Sequence, residues 1–319
     1  MHEIVIGKND AGQRLDKFLT KSLALPTGLL YRAIRTKKIK VNRKRAEISQ
    51  KLCEGDTLQC FLPDEFFTKK ADVGSLGRIN PKLDIVYEDD NILLVNKRAG
   101  VTVHEDERGE TDTLITHIQS YLYKKGEYDP GAEQSFSPSL CNRIDRNTAG
   151  IVIAAKNAGA LREMNDIIKA RRIEKYYLAA VHGIPEPREA VVCGYLTKDS
   201  ATNTVKVYNK PVRGAKEIRT AYRTIAVSGG DALLEVELLT GRTHQIRAHM
   251  AHIGHPLIGD GKYGVNRADR QRGYKYQALC SYRLRFSFSE EEYPVLGYLS
   301  GREFRIPRDE IFFTKEFFS

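Results

Sequence analysis

Asp145 lies between two arginines in the run Asn142-Arg143-Ile144-Asp145-Arg146-Asn147-Thr148-Ala149-Gly150, directly ahead of the apolar stretch Ile151-Val152-Ile153-Ala154-Ala155. Flanking positive charge lowers a carboxyl pKa and so favours the ionised form. An ionised carboxylate beside two phosphate-seeking guanidiniums suits nucleophilic work on an anionic polymer. The plainer reading is a turn cap, or a local ion pair with Arg143 that contributes little. What weighs against it is the company Asp145 keeps further along the chain.

One companion is Glu174-Lys175-Tyr176-Tyr177-Leu178-Ala179-Ala180-Val181-His182-Gly183. Read as a strand, it puts Lys175 and Tyr177 on one face and Tyr176 and Leu178 on the other. A phenol at 177 can stack on a base and move a proton through its hydroxyl. Another is Leu239-Thr240-Gly241-Arg242-Thr243-His244-Gln245-Ile246-Arg247-Ala248-His249, continuing as Gly254-His255-Pro256-Leu257-Ile258-Gly259-Asp260. Its histidines, with His252, fall at 244, 249, 252 and 255. They lack both the H-E-x-x-H arrangement and the i, i+4 pairing that a helix-borne metal site uses, so no metal is expected. The run Val95-Asn96-Lys97-Arg98-Ala99-Gly100-Val101-Thr102-Val103-His104 reads as a strand ending in a glycine turn, and no chemistry is assigned to it.

Taken together, and in their order along the chain, these runs resemble the motifs of the RluA family of RNA pseudouridine synthases. The Asp145 run resembles the catalytic His-Arg-Leu-Asp-Arg-x-Thr-Ser-Gly, and Val95–His104 resembles Asn-Lys-Pro-Ala-Gly followed by an apolar run and His. The resemblance implies that Asp145 is the catalytic carboxylate, Tyr177 the active-site tyrosine with Lys175 its basic partner, and Arg247 the arginine paired with Asp145. A bidentate Arg247–Asp145 pair is expected, fixing the rotamer and charge of the carboxylate. Arg143, Lys175 and Arg242 are expected to contact RNA. The implied reaction detaches uracil at N1–C1′, rotates it and rejoins it through C5, with no cofactor. The chain departs from the usual motifs at Asn142, Ile144, Asn147 (usually Asp), Ala149 and Arg98 (usually Pro), and none of these removes Asp145, Tyr177 or Arg247.

Such residues need a scaffold, and 319 residues with 41% apolar content can bury a large core, with a length suited to about two domains. Residues 1–62 read as a small α+β module. Leu15, Phe18 and Leu19 recur at helical spacing, as do Leu29, Leu30, Ala33 and Ile34, with a strand at Ile39–Val41, a turn at Asn42-Arg43-Lys44, and Asp56–Leu62 after it. Of the net charge of +10, the segment Tyr31–Lys51 alone carries +8. Arg32, Arg35, Lys37, Lys38, Lys40, Arg43, Lys44 and Arg45 there form an electrostatic footprint for a polyanion. This layout resembles the S4 RNA-binding domain. Residues 63–80 read as a linker and 81–319 as the catalytic domain.

In the latter, Ile85–Tyr87 and Ile92–Val95 read as a hairpin, Tyr128–Ser139 as a loop, and Asn157 as the N-cap of a helix bearing Leu161, Met164, Ile167 and Ile168. Strands are expected at Tyr176–Val181, Val191–Leu196, Val205–Tyr208, Thr220–Val227 and Leu233–Leu238, with later ones near Tyr282–Phe288 and Glu303–Ile306. The expected class is α+β, with an S4-like module and a pseudouridine synthase domain on an extended, mostly antiparallel mixed sheet. No signal peptide or bilayer-length apolar run is visible, and five cysteines form no C-x-x-C pair. A cytoplasmic monomer with free thiols is expected, acting on RNA, in the first place large-subunit ribosomal RNA, with a transfer RNA synthase or a non-catalytic RNA-binding protein as the alternatives.

Overall fold

The computed structural model describes residues 1–67, 73–104, 111–199 and 201–318. The chain forms two compact units that interleave in sequence. One holds Met1–Pro81, Thr116–Ser139 and Lys156–Leu161, the other Lys82–Ile115, Leu140–Ala155 and Arg162–Ser319.

In the first unit, strands β1 (His2–Val5), β2 (Ile39–Val41), β3 (Lys44–Arg45) and β4 (Thr57–Cys60) form a sheet in the order β1-β4-β2-β3. Helices α1 (Leu15–Ser22) and α2 (Thr27–Arg35) cover it, burying Leu15, Phe18, Leu19, Leu30, Ala33 and Ile34 at the positions the helical spacing marks. The turn between β2 and β3 places Asn42 and Arg43 in the left-handed region, φ 49° and 64°. That pair of positive φ values matches the right-handed twist of a two-residue hairpin. The Asn42 side chain holds the turn, accepting from Thr57 N–H at 2.9 Å and donating to Asp56 at 2.7 Å. The turn and the end of α2 thus present Arg32, Arg35, Lys37, Lys38, Arg43, Lys44 and Arg45 exposed, with Lys40 half-buried. None of these eight has a carboxylate partner among the described residues.

The segment expected as a linker carries a 3-10 turn at Asp64–Phe67 and helix α3 (Val73–Arg78), with residues 68–72 outside the described residues. Leu76 is buried, and the buried Ser120 of helix α4 (Leu114–Lys124) donates to its carbonyl at 2.8 Å. Tyr128–Ser139 forms no helix or strand until its last residue, and within its own unit it is tied down. Glu133 accepts from Asn9 at 2.7 Å, and Ser135 donates to Asp10 at 2.5 Å.

The second unit is built on one large sheet. Its strands are β5 (Ile85–Glu88), β6 (Ile92–Lys97), β7 (Ser139–Leu140), β8 (Ala149–Ala155), β9 (Ile173–Val181), β10 (Glu189–Asp199), β11 (Thr204–Tyr208), β12 (Lys216–Ser228), β13 (Asp231–Leu238), β14 (Leu279–Phe286) and β15 (Glu303–Arg305). The order is β11-β10-β12-β13-β9-β14-β8-β6-β5, with β15 added on β14 and β7 on β8. Among the registers described, only β8 and β14 run parallel. The sheet is therefore mixed and mostly antiparallel, as expected. Helix α5 (Ala158–Lys169) starts at Asn157, whose side chain accepts from Ala160 N–H at 2.8 Å, and buries Met164 and Ile167. All five cysteines are free thiols. No helix among the described residues is long and apolar enough to cross a membrane.

Three residues in line across adjacent strands fix the geometry that matters most. Gly150 on β8 is in register with Ser281 on β14, and Ser281 with Tyr177 on β9. Gly150 has φ 118°, and a Cβ there would lie 2.3 Å from the Ser281 carbonyl oxygen. Only glycine lets the two backbones meet this closely. The Gly150→Ala variant should therefore lose about 1–3 kcal/mol to overpacking, read as a fall in Tm of about 5 °C by calorimetry. Gly241→Ala, where the added carbon meets nothing within 4 Å, should shift it by less than about 1 °C.

Candidate active site

The turn ahead of β8 carries Asp145. Thr148 N–H donates to the Asp145 carbonyl at 3.0 Å and closes the turn, and Gln277 donates to the buried Thr148 hydroxyl at 3.1 Å. The turn is latched from the other side by the run Lys97–Val101. Gly100 N–H donates to the Arg146 carbonyl at 2.9 Å, and Arg146 Nε returns a bond to the Gly100 carbonyl at 3.0 Å. Lys97 is 1% exposed, and its Nζ reaches the carbonyls of Arg98, Val101 and Arg146 at 3.1, 3.0 and 2.8 Å. Burial pushes its pKa down to about 7, while three carbonyl acceptors match the three donors of an ammonium. The run given no chemistry from sequence is thus a clamp on the catalytic turn.

Arg247 comes from helix α6 (Gln245–His252), which follows β13. Its Ile246 and Met250 pack with Tyr177, Val236 and Leu257, while Ala248 packs with Leu196, Val205, Val207 and Ile218. The loop into α6 is closed by polar side chains. Gln245 Oε1 accepts from the Thr240 hydroxyl at 2.9 Å and from Arg242 N–H at 3.1 Å, and its Nε2 donates to the Arg219 carbonyl at 3.0 Å. Thr240 and Gln245 of the longest motif therefore set the helix start, leaving Arg242 exposed.

The expected bidentate Arg247–Asp145 pair is corrected by this geometry. The fork of Arg247 goes to Asp260, with Nε–Oδ2 at 2.7 Å and Nη2–Oδ1 at 2.9 Å, and Asp145 Oδ2 receives one bond from Nη1 at 3.0 Å. Asp260 also accepts from the N–H groups of Lys262 and Tyr263. Burial alone would raise its pKa, but Arg247 and the two amides outweigh that and hold it below the usual carboxylate range. The Asp145 side chain keeps 26% of its surface exposed, against 0% for Asp260. Hence Asp260 anchors the guanidinium and Asp145 faces the open side.

Two further groups border Asp145. His244, in the left-handed region at φ 53°, has Nε2 3.8 Å from Asp145 Oδ2 and Nδ1 2.8 Å from the Tyr263 hydroxyl. That hydroxyl already accepts Val205 N–H at 3.0 Å. We therefore assign its proton to His244 Nδ1, which leaves the imidazole N–H on the Asp145 side. Burial drives the His244 pKa to about 4, so the ring is neutral. Tyr177 is 7% exposed, and burial, with added repulsion from the Asp145 charge, pushes its phenol up to about 12. It thus keeps its proton and lies within the electrostatic reach of Asp145. Lys175 is half-buried on the same strand, with burial lowering its pKa, and Arg143 is exposed. The four histidines of the long motif are dispersed. His249 bonds Thr220, His252 bonds Asn209, and His255 bonds the His182 carbonyl.

Neutralising Asp260 leaves the buried Arg247 with Asp145 as its one carboxylate partner among the described residues, which costs about 3–5 kcal/mol. For Asp260→Asn, a Tm loss of roughly 6–15 °C is expected. A carboxylate with a depressed folded pKa stabilises above its unfolded pKa, and that contribution is lost as pH falls through the folded value. Calorimetry from pH 7 to pH 3 should therefore show a shallower acid-side decline in the variant than in the wild type.

The family model described as RNA pseudouridylate synthase matches residues 91–252, and the S4 domain model matches residues 13–58. An RNA pseudouridine synthase of Mycoplasma genitalium is 31% identical over 95% of this chain and 95% of its own length. The ribosomal large subunit pseudouridine synthase C of Vibrio vulnificus is 31% identical over 91% of this chain and 90% of its own. Among solved structures, human RNA pseudouridylate synthase domain containing 1 shares the fold, with a TM-score of 0.55 and 23% identity over 72% of this chain and 86% of that one. With the matched region holding the Asp145 turn, Tyr177 and Arg247, the chain belongs to the RNA pseudouridylate synthase family and carries an S4 domain at its N-terminal end.

Proposed function

We propose that this isomerase converts uridines of large-subunit ribosomal RNA to pseudouridine, with Asp145 as the catalytic carboxylate. The observation that carries the reading is an exposed-side Asp145 held by one bond to Arg247, whose other edge is locked on buried Asp260. The similarity to large-subunit synthases, spanning nearly the whole chain, supports the ribosomal target. The target uridine must first leave its stack, at a cost of a few kcal/mol. Asp145 then serves the detachment of uracil at N1–C1′ through the carboxylate oxygen that Arg247 does not bond. Tyr177, protonated and buried, lies against the base and moves a proton at its hydroxyl. Arg247 orients Asp145, and the exposed Arg143 and Arg242, with Lys175, engage the RNA backbone. We place the enzyme in the cytoplasm, acting as a monomer.

Arg32, Arg35, Lys37, Lys38, Lys40, Arg43, Lys44 and Arg45 form the second RNA contact. No carboxylate among the described residues pairs with them, which leaves the charges available to phosphates. Replacing Arg43, Lys44 and Arg45 by Gln should weaken RNA binding. Each lost phosphate contact should flatten the slope of log affinity against log salt by about 0.7–0.9. An unchanged slope would move the anchor elsewhere.

The reaction expels the hydrogen on uracil C5 when the C5–C1′ bond forms, so RNA containing 5-tritiated uridine reports it directly. Wild type should release tritium to water from unmodified large-subunit ribosomal RNA and not from a transfer RNA pool. Asp145→Asn should release none while binding the RNA within about twofold of wild type, because it removes chemistry and little of the phosphate contact. Release from transfer RNA alone would overturn the ribosomal target. Equal release by Asp145→Asn would overturn the role of Asp145.

A further inference from the structure

Beside the catalytic turn lies an open pocket of about 580 Å³, lined by Asn147, Arg270, Gly273, Tyr274, Lys275 and Tyr276. Pockets for small ligands and nucleotide-sized groups fall in the range of roughly 300–1,000 Å³. The wall residue Asn147 belongs to the same turn as Asp145, two residues away, a step that spans at most about 7 Å. Its half-buried amide has no hydrogen-bond partner among the described residues. An amide at this position is a neutral donor and acceptor, where a carboxylate would repel phosphate.

The rest of the lining brings two cations that no carboxylate among the described residues holds. Helix α7 (Arg267–Gln271) and the turn after it carry Arg270, Arg272 and Lys275. Arg272 is consumed by carboxylates, with Asp231 at 2.7 Å and Glu316 at 3.1 Å. Arg270 and Lys275 are exposed and pair with no carboxylate among the described residues. The remaining wall is aromatic. Tyr274 is buried and donates to Glu316 at 2.6 Å, and Tyr276 is half-buried with the Lys275 ammonium 5.4 Å from its ring centroid.

The lining residue Tyr276 is also built into the catalytic frame. A Cβ on Gly100 would lie 2.6 Å from the Tyr276 hydroxyl, so that phenol packs on the strip that latches the Arg146 carbonyl. The Tyr276 carbonyl packs more closely still on Gly259, the residue before Asp260, where a Cβ would lie 2.3 Å from its oxygen, and Gln277 holds Thr148. A group seated here would press on the elements that position both Asp145 and Arg247.

We propose that this pocket seats an unpaired nucleotide of the substrate RNA next to the uridine being isomerised. Arg270 and Lys275 take its phosphodiester, the Asn147 amide bonds its base edge, and the Tyr276 ring packs on its base or ribose. Paired bases and duplex grooves do not fit such a site. Single-stranded nucleotides do, because a splayed base exposes both its π-face and its hydrogen-bonding edge. The inference rests on the RNA synthase reading above and adds a specificity contact to it.

The test uses the full chain and a labelled uridine pentamer, titrated by fluorescence anisotropy at several salt concentrations. Replacing Arg270 and Lys275 together by Gln should weaken the pentamer about 5- to 20-fold and flatten the salt slope by about 1.4, two single-strand contacts at about 0.7 each. Asn147→Asp should weaken it by a similar factor, and Tyr276→Leu about three- to tenfold at an unchanged slope. A charge-matched control, Arg305→Gln with Lys315→Gln, should keep wild-type affinity. Equal losses in the control and in the pocket variant would overturn the proposal, as would a pocket variant that binds like wild type. Tritium release by the wild type from ribosomal RNA and from a transfer RNA pool, measured alongside, gauges the synthase reading on its own. If neither RNA releases tritium while the pocket variants still lose pentamer binding, the synthase reading fails and the pocket stands as an RNA contact only.

Discussion

One guanidinium holds this site together. Arg247 lies between two carboxylates, its fork on Asp260 and its remaining nitrogen on Asp145. Burial works against its charge, and the two carboxylates outweigh burial and raise its pKa. The division of its five donors is what matters. A bidentate clamp on Asp145 would occupy both carboxylate oxygens with the same cation. The fork goes instead to a carboxylate with no exposed surface, so rigidity comes from Asp260, and Asp145 keeps one oxygen without a hydrogen-bond partner among the described residues. A nucleophile or base needs that free lone pair. Orientation and reactivity are thus separated onto two acids that share one arginine.

The guanidinium can hold Asp145 only if the turn arrives in the right place, and close packing makes it do so. β8 meets β14 at Gly150 and Ser281 at a distance no side chain allows, and β14 carries the register on to Tyr177. Lys97 and Gly100 then pin the Arg146 carbonyl from below. A buried lysine is costly unless its donors are satisfied. Here all three point at carbonyls, two on its own loop and one on the catalytic turn. The turn therefore cannot move without stranding a buried amine that three carbonyls satisfy. The stiffness of the site comes from backbone approach and a caged ammonium, with the open face left to the substrate.

Much of this was legible in the sequence, and what was not has physical reasons. The strands of the large sheet are apolar runs or alternating patterns bounded by turn residues, so their period marks them even where their ends differ by a few residues. Asp145, Tyr177 and Arg247 sit in contiguous runs whose residue types already suggest roles. Asp260 also lies in such a run, but which carboxylate takes an arginine's fork is a matter of distance between segments 100 residues apart, which no spacing encodes. Lys97 escaped because a lysine at the end of a strand is ordinarily solvated. Helix α6 gives a poor helical signal, since its Gln245, Arg247 and His249 are buried polar groups and blur the apolar stripe. The interleaving of residues 116–139 and 156–161 with the N-terminal unit is likewise invisible along a chain read in order.

The neutral histidine beside Asp145 has a consequence for how the site manages charge. The side chains of Asp145 and Asp260 carry two formal negative charges against one guanidinium, so a second cation at His244 would compete with Arg247 for Asp145 Oδ2. Burial, together with the charges of Arg247 and Lys262, outweighs the pull of Asp145 and keeps the imidazole unprotonated. Tyr263 fixes its tautomer through Nδ1 and stacks under Arg247, with the guanidinium carbon 5.2 Å from its ring centroid. The same tyrosine therefore braces both groups that face Oδ2. With that oxygen bordered by one arginine and one neutral N–H at 3.8 Å, the other is left to the substrate. The asymmetry of a single carboxylate is the feature that the surrounding strands, clamp and second acid maintain.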